Sequence, residues 1–422
     1  MQIPGIIFDT AVKSFRFLKR QQRDWKITVV RASLSRFLYQ IVFPYQSVYT
    51  VALGASRTQL GIVNSVGMGI AGLLGPLIGW LIDRRAPKLI YLIGIGLLVV
   101  AYLTYGLAQS WVIIILAMIA YQLGYAISDH ACWFFCANLL VNKDRATGTG
   151  FCETISGGLF GIIGPMIGAF LVALFGGVNI VGIRPLFFVS LVGTIGAFLL
   201  ILTQLSNYRW TNPAEVKPGF IKDFTEVFRQ RHNLKRMLII VAMTYIPYGM
   251  VLPFTQVFAH EVKGADEYVL GAMVSGMALT VLALSIPLGR LADRIGRKQA
   301  LYLATPLFYV SSLLLIWAPN SGFLIAAGTL QGLFWILVNI TGAMAVEIVT
   351  PEQMGRWLGI VRFFELFAAA FTALLAGLIW DNIGPEYLFF TVIGLDLFIR
   401  IPLLIKMPET LWLRRLPTSS QS

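Results

Sequence analysis

The stretch GRLADRIGRK, at residues 289–298, places five charged residues among ten. The rest of the chain is apolar: 57% of its 422 residues are hydrophobic, 13% are charged, and the mean hydropathy is +0.76. A helix needs ~20 predominantly apolar residues to cross a bilayer, and runs of that length recur along the chain. The charged stretch is therefore predicted to lie between membrane spans of a polytopic membrane protein.

The apolar runs define twelve predicted spans in an all-α fold, numbered here in chain order. They cover residues 28–54, 58–82, 89–107, 111–139, 148–176, 183–206, 236–261, 267–292, 299–318, 322–348, 357–380 and 386–406. Residues 1–27 combine apolar and basic side chains at helical spacing, which predicts an amphipathic helix on the cytoplasmic membrane surface. The polar linker 208–235 separates two predicted bundles, 28–207 and 236–407, and residues 408–422 form a predicted cytoplasmic tail.

The net charge of +13 follows the predicted topology. If both termini are cytoplasmic, every Lys and Arg except Arg57, Arg184 and Lys263 lies on the cytoplasmic side or at an adjoining span end. This asymmetry is typical of multi-pass membrane proteins. We expect a monomer in the lipid bilayer of the plasma or inner membrane, and the charge does not indicate a nucleic-acid partner.

The two predicted bundles repeat one another. Shifted by 210 residues, GRLADRIGRK aligns with GWLIDRRAPK at residues 79–88. The pattern GxLxDRxGRK, placed between spans 2 and 3 and again between spans 8 and 9, resembles the signature of the major facilitator superfamily of secondary transporters. The resemblance covers essentially the whole chain, although the first copy has Ala86-Pro87 where the second has Gly296-Arg297. It implies twelve helices in two pseudo-symmetric bundles that rock around a central site.

The resemblance also implies a gate at the cytoplasmic ends of the spans. An Asp at the end of span 2 or 8 can contact the N-terminus of a span in the other bundle, where free N–H groups and the helix dipole favour an anion. Asp83 would face the start of span 11, and Asp293 the start of span 5 near Thr147, only while the cytoplasmic side is closed. The predicted gate residues are Asp83, Arg84, Arg145, Asp293, Arg294, Arg297, Glu347 and Arg356.

Polar side chains within the spans are candidates for a substrate site. A charge at mid-bilayer costs ~2.5–3.5 kcal/mol on insertion scales, so such residues usually face a cavity or a partner. The resemblance implies that spans 1, 4, 7 and 10 line the cavity, although their aromatic residues could equally serve helix packing. Arg31, nearer the cytoplasmic end, is expected to extend its guanidinium to the membrane interface. The predicted substrate residues are Arg36, Gln40, Asp129, His130, Tyr245, Tyr248, Gln256, Trp335 and Asn339.

Three membrane carboxylates, Asp129, Glu153 and Glu365, are candidates for proton coupling. A carboxylate removed from water favours its protonated form, which suits a group that carries a proton. Asp396 and Arg400 stand four residues apart on span 12 and are expected to form a structural pair. The other structural alternatives pair Asp129 with Arg36 or His130, Glu153 with Arg36, and Glu365 with Arg362 or Arg400.

These features predict a secondary active transporter, not an enzyme, that exports a small organic or amphiphilic molecule in exchange for protons. The glycine-rich stretch GGLFGIIGPMIGA at residues 157–169 resembles the antiporter branch of the family, and helix packing alone would also explain it. Two alternatives stay open: an organic-anion symporter or uniporter anchored on Arg36, and a transporter-like receptor. No cofactor or ATP coupling is expected, because the sequence has no P-loop. No metal site is predicted, because His130, Cys132 and Cys136 of span 4 do not converge.

Overall fold

The computed structural model describes residues 20–84, 87–140, 158–207, 232–349 and 354–411. Regular secondary structure in these ranges is helical throughout. Ten of the spans are long and apolar enough to cross a membrane, and spans 1 and 5 complete the twelve. Residues 1–19 of the predicted N-terminal amphipathic segment and residues 208–231 of the linker lie outside the described residues, and residues 23–27 belong to the first helix of span 1.

The bounds of the spans lie within a few residues of the prediction wherever both ends are described. Spans 1, 7, 10 and 12 each consist of more than one helical segment. The helices are Arg23–Val42 and Gln46–Ala52 (span 1), Arg57–Arg84 (span 2), Pro87–Leu107 (span 3), Trp111–Leu139 (span 4), Phe160–Leu174 (span 5), Ile180–Gln204 (span 6), His232–Met250 and Leu252–Glu261 (span 7), Glu267–Ile295 (span 8), Arg297–Ile316 (span 9), Ser321–Gln331 and Leu333–Glu347 (span 10), Met354–Asn382 (span 11), and Tyr387–Leu395, the π-helical turn Asp396–Arg400 and Ile401–Ile405 (span 12).

The breaks in spans 1 and 7 fall at equivalent points of the two bundles. Pro44 lies between the two helices of span 1, and Pro253 lies in the first turn of the second helix of span 7. Proline has no backbone N–H and its ring crowds the preceding turn, so a helix bends or restarts there. The sequence repeat is thus visible in the shape of the spans.

The helical bundle has two ends with different composition. The basic end carries the start of span 1 and the end of span 12, and the opposite end carries the starts of the even-numbered spans. At the opposite end, spans 6, 8 and 10 begin at Asn179, Asp266 and Asn320, whose side-chain oxygens accept N–H bonds from the first turn. Ser56 and Gln59 bond each other's backbone N–H groups at the start of span 2. These caps satisfy N–H groups that a helix start leaves free.

Close backbone contacts hold the two bundles together, where span 2 packs on span 11 and span 5 on span 8. A Cβ atom at Gly61 would lie 2.5 Å from the Ala373 carbonyl oxygen, and one at Gly271 would lie 2.9 Å from that of Pro165. Only glycine allows the helices to approach so closely. The glycines therefore set the geometry of the surface between the bundles.

Polar contacts join the two bundles at the opposite end. The Arg57 Nε atom donates to Glu261 at 3.1 Å, and the Thr58 N–H donates to Asp381 Oδ2 at 2.8 Å. The Tyr45 hydroxyl donates to the Glu267 carbonyl at 2.8 Å. All three contacts cross from the first bundle to the second, so this end is closed.

The basic end is packed more loosely around span 8. Leu282 and Leu284 are 40% and 38% exposed, Ala283 between them is also exposed, and Ile286 is 61% exposed. Consecutive helix residues point about 100° apart, so exposure of three in a row means that more than one face of the helix is uncovered. The described contacts therefore close the opposite end, whereas more than one face of span 8 is exposed toward the basic end.

Candidate functional site

The GRLADRIGRK stretch covers the last turns of span 8, Gly296 and the first residues of span 9, and it forms a charge network within the second bundle. Arg297 pairs with Asp293 at 2.8 Å and with Glu347 of span 10 at 3.1 Å. The Arg297 side chain is 14% exposed, whereas that of Asp293 is 59% exposed. The structure thus brings the predicted gate residues Arg297 and Glu347 together and leaves the Asp293 carboxylate largely open to solvent.

The backbone conformation at residue 296 explains why this copy of the motif contains glycine there. The Gly296 φ of +111° is in the region that only glycine occupies readily, and a Cβ atom there would lie 2.7 Å from the Glu409 carboxylate. That carboxylate accepts hydrogen bonds from the Arg297 and Lys298 N–H groups at 3.0 and 3.1 Å. Glu409, from beyond span 12, therefore caps the start of span 9.

The lysine that ends each copy of the motif binds the end of a neighbouring span. Lys298 Nζ donates to the Met407 carbonyl at 2.6 Å, after span 12. Lys88 Nζ donates to the carbonyls of Leu202 and Leu205 at 2.9 and 2.6 Å, at the end of span 6. A cation at a helix C-terminus satisfies free carbonyl groups and the negative end of the dipole. The conserved spacing within the repeat thus gives equivalent caps in both bundles.

Part of the predicted gate lies outside the described residues. Arg145 and Thr147 are in the range 141–157, and the side chains of Asp83, Arg84 and Arg356 are not described. The predicted contacts of Asp83 with span 11 and of Asp293 with span 5 therefore stay predictions. Arg294 is exposed in the last turn of span 8.

The first bundle places an arginine and a group of tyrosines on spans 1 and 4, two of the spans predicted to line the central cavity. Arg36 Nη1 of span 1 donates to the Tyr125 hydroxyl of span 4 at 3.2 Å. The Tyr39 and Tyr121 rings stack with centroids 5.7 Å apart, and Tyr121 stacks on Tyr125 at 6.3 Å. Asp129 follows Tyr125 by one helical turn and is half-buried. An arginine, a carboxylate and three phenol rings therefore share one surface.

The second bundle presents a similar group. Arg362 Nη1 of span 11 donates to the Tyr245 hydroxyl at 2.8 Å and pairs with Glu365 at 3.0 Å. The Tyr245 and Tyr248 ring centroids lie 5.0 Å apart, and Trp335 of span 10 packs edge-on to Tyr248 at 6.0 Å. Of the alternatives for Glu365, the structure selects Arg362.

The two groups face each other across the surface between the bundles. Tyr248 of span 7 is close enough to Tyr39, Tyr121 and Tyr125 for its hydroxyl to interact with theirs electrostatically. Each bundle thus supplies an arginine bonded to a tyrosine hydroxyl, with a carboxylate one turn away. Planar aromatic molecules can stack on such a surface, and its hydroxyls can both donate and accept hydrogen bonds.

The remaining predicted substrate residues are not part of these two aromatic groups. Gln40 packs against span 5, where a Cβ atom at Gly164 would lie 2.7 Å from Gln40 Cβ. Gln256 is 6% exposed, and its Oε1 has no hydrogen-bond partner among the described residues. Asn339 is exposed on span 10. The His130 side chain and Glu153 lie outside what the structure describes.

The expectation that Arg31 reaches the membrane interface is wrong. Arg31 is 3% exposed, and its guanidinium lies 4.7 Å from the Tyr91 ring centroid. Its Nη1 donates to the Tyr91 hydroxyl at 3.3 Å. A ring face and a hydroxyl from span 3 hold the cation inside the first bundle, because both stabilise positive charge without water.

The sequence does not single out Arg362 and Tyr125, which the structure places in contact with the predicted substrate residues Tyr245 and Arg36. From the sequence, Arg362 is expected only as a partner for Glu365, three residues away, and that spacing places both on one helical face. Tyr125 stands four residues before Asp129 and shares its face for the same reason. A search for polar residues at helical spacing from each membrane carboxylate would have found both.

Comparison with known proteins places the chain in a family. The model of the Major Facilitator Superfamily matches residues 29–266 and 237–413. Two relatives named multidrug resistance protein MdtG are 28% identical (Escherichia coli; 89% of this chain, 93% of theirs) and 26% identical (Proteus mirabilis; 81% and 88%). The fold is similar to that of the nucleoside transporter NupG (TM-score 0.71, 16% identity, 92% of this chain, 99% of that chain). It is also similar to that of the human organic anion transporter MFSD10 (TM-score 0.63, 16% identity, 90% and 99%). Since the family model matches nearly the whole chain, the chain belongs to the Major Facilitator Superfamily.

Proposed function

We propose that the chain exports small aromatic or amphiphilic organic molecules in exchange for protons, by alternating access between its two bundles. The observation that carries the proposal is the contact of Arg362 with both Glu365 and Tyr245. It connects a membrane carboxylate that can take up a proton to an aromatic side chain of the cavity. The relatives named multidrug resistance protein, which align along most of the chain, support an organic substrate.

The substrate binds between the aromatic groups of the two bundles. Tyr39 and Tyr125 supply ring faces from the first bundle, and Tyr248 and Trp335 supply them from the second. Stacking and edge-on contacts contribute ~0.5–1.5 kcal/mol per aromatic pair beyond the buried area, and a cation over a ring adds a similar amount. Such contacts depend little on the shape of the ligand, so a range of planar compounds fits.

Protons and substrate compete through the charged pairs beside the rings. A proton on Glu365 removes the charge that holds Arg362, and Arg362 with the Tyr245 hydroxyl then moves relative to the bound molecule. Asp129 acts in the same way beside Tyr125 in the first bundle. Glu153, outside the described residues, stays a third candidate for the coupling group.

Alternating access exchanges the contacts at one end of the bundle for those at the other. Spans 2 and 11 run antiparallel, and each ends in an aspartate, Asp83 or Asp381. Asp381 binds the start of span 2 while the opposite end is closed. In the reverse state, Asp83 binds the start of span 11 and Asp293 that of span 5. The basic end faces the cytoplasm of a plasma or inner membrane, as the distribution of Lys and Arg indicates.

Flux in proteoliposomes tests the proposal. An imposed pH gradient should drive fluorescent aromatic cations across the membrane, and Glu365→Gln should reduce that flux. Glu386→Gln, in the loop between spans 11 and 12, removes a carboxylate away from the cavity and is the matched control. Flux that ignores the pH gradient, with Glu365→Gln and Asp129→Asn both like wild type, would contradict proton exchange.

An organic-anion transporter is the second candidate, favoured by the two arginines beside the cavity. In that case aromatic carboxylates would bind and aromatic cations would not. Arg36→Ala would abolish anion binding and leave cation binding intact. Testing both classes of compound in the same liposomes separates the two functions.

A further inference from the structure

Span 12 carries a buried ion pair in the core of the second bundle. Arg400 is 2% exposed and pairs with Asp396, with 2.9 Å between Arg400 Nη2 and Asp396 Oδ2. The two residues bound the π-helical turn Asp396–Arg400. Thr305 accepts a bond from Arg400 Nη2 at 2.9 Å, and the Tyr309 hydroxyl donates to Asp396. π-helical turns are rare and frequently occur at functional sites.

One nitrogen of the Arg400 guanidinium is not used by this network. Arginine has five N–H donors, and those on Nε and Nη2 are bonded to Asp396 and Thr305. Nη1 is buried and has no hydrogen-bond partner among the described residues. A buried donor left without a partner costs ~1–3 kcal/mol or more when it is charged. A hydrogen-bond acceptor beside Arg400 Nη1 would therefore stabilise this site.

A small cavity lies beside the ion pair, between spans 7, 9, 10 and 12. Arg400 and Asp396 line it together with mainly apolar residues, among them Pro247 and Phe308. Its free space is about 10 Å³, which is close to the ~10 Å³ that a single buried water needs. The cavity is thus large enough for one water and too small for an organic molecule.

Span 7 supplies an acceptor on the other wall. The helix His232–Met250 runs through Pro247, which has no N–H to give to the carbonyl four residues earlier. That carbonyl belongs to Met243, and both Met243 and Pro247 line the cavity. Arg400, which has an unpaired donor, and Met243, whose carbonyl lacks the N–H of residue 247, thus line the same cavity.

We propose that the cavity binds one water molecule, which accepts a hydrogen bond from Arg400 Nη1 and donates one to the Met243 carbonyl. A neutral ligand fits better than an anion, because Asp396 already neutralises Arg400 and the other walls are mainly apolar. The water connects span 12 to the proline bend of span 7. Tyr245 and Tyr248 flank that bend, so the water helps to position two aromatic residues of the central cavity.

A structure of the full chain at about 2 Å or better tests the site directly. The expected result is one ordered water within hydrogen-bonding distance of both Arg400 Nη1 and the Met243 carbonyl oxygen. An empty cavity would overturn the proposal. Anomalous signal at the site in crystals grown with bromide would also overturn it, because it would identify an anion.

The variant Pro247→Ala tests the acceptor and leaves the ion pair intact. The alanine N–H can bond to the Met243 carbonyl, so the water should lose that partner and its occupancy. Synchrotron hydroxyl-radical labelling detects this loss in solution, because bound water promotes oxidation of the side chains beside it. Phe308 is 3% exposed and lines the cavity, so in wild type it should be labelled severalfold more than the buried Phe254. In Pro247→Ala the two phenylalanines should be labelled to the same extent. An unchanged ratio in the variant would contradict the assignment.

Discussion

The contact between Asp381 and the start of span 2 predicts how one substitution changes the balance between closed and open states of the opposite end. Asp381 accepts the Thr58 N–H bond at 2.8 Å across the two bundles, as a capping residue does. Losing a capping oxygen costs ~0.5–2 kcal/mol, and we expect about 1 kcal/mol for this exposed carboxylate. The contact exists only while the opposite end is closed. Asp381→Ala should therefore shift the ratio of closed to open molecules by about fivefold.

The ion pair between Arg57 and Glu261 at the same end should contribute less. The two side chains are 31% and 26% exposed, and ion pairs with this exposure contribute ~0.2–1 kcal/mol. Glu261→Gln should shift the same ratio by about twofold. The comparison separates the effect of a helix cap from that of a partly exposed charge pair.

Double electron–electron resonance measures the shift. Spin labels at the exposed positions Leu107 and Ile383, in a variant without the three native cysteines, report the distance between the bundles at the opposite end. Asp381→Ala should add a population at longer distance. Asp381→Asn, which keeps an oxygen acceptor, should fall between that variant and wild type. Identical distance distributions for Asp381→Ala and wild type would refute the reasoning.

Three further substitutions test the gate loop, the cavity and the surface between the bundles. Gly296→Ala should cost ~1–3 kcal/mol and lower the thermal unfolding midpoint, because φ is +111° there, whereas Gly289→Ala, with nothing within 4 Å, should not. Tyr245→Phe removes a hydrogen bond to a charged group, worth ~1.5 kcal/mol, and should reduce pH-driven flux about tenfold, whereas Tyr248→Phe should reduce it less. Gly61→Ala places a methyl group 2.5 Å from a carbonyl oxygen of span 11 and should increase the long-distance population between spin labels at the opposite end; unchanged distances would contradict the packing argument.

The sequence predicted the architecture because membrane spans depend on local properties. Span length follows from bilayer thickness, so apolar runs of sufficient length mark the spans. The repeat of GRLADRIGRK at residues 79–88 identified two equivalent bundles. The role of Gly296 is also local, because its φ of +111° lies in the region that favours glycine. These features needed no knowledge of contacts between distant spans.

The side-chain pairs of the cavity could not be predicted in the same way. Arg362 meets Tyr245 from a different span, and the relative rotation of spans 7 and 11 decides that contact. Arg31 was misplaced because Tyr91, on span 3, holds it inside the bundle. Glu409 caps span 9 from beyond the last span, which no motif indicates. Tertiary packing thus determines which of several chemically reasonable partners a charged group takes.

The central claim is that protons and an organic substrate compete for the cavity. Proton release on substrate binding tests this competition most directly. It is measured with a pH indicator in weakly buffered solution, while a transported aromatic compound binds to the detergent-purified protein. Binding to wild type should release protons, and binding to Glu365→Gln should release fewer. Binding of the compound to wild type with no release of protons at any pH would contradict the exchange mechanism.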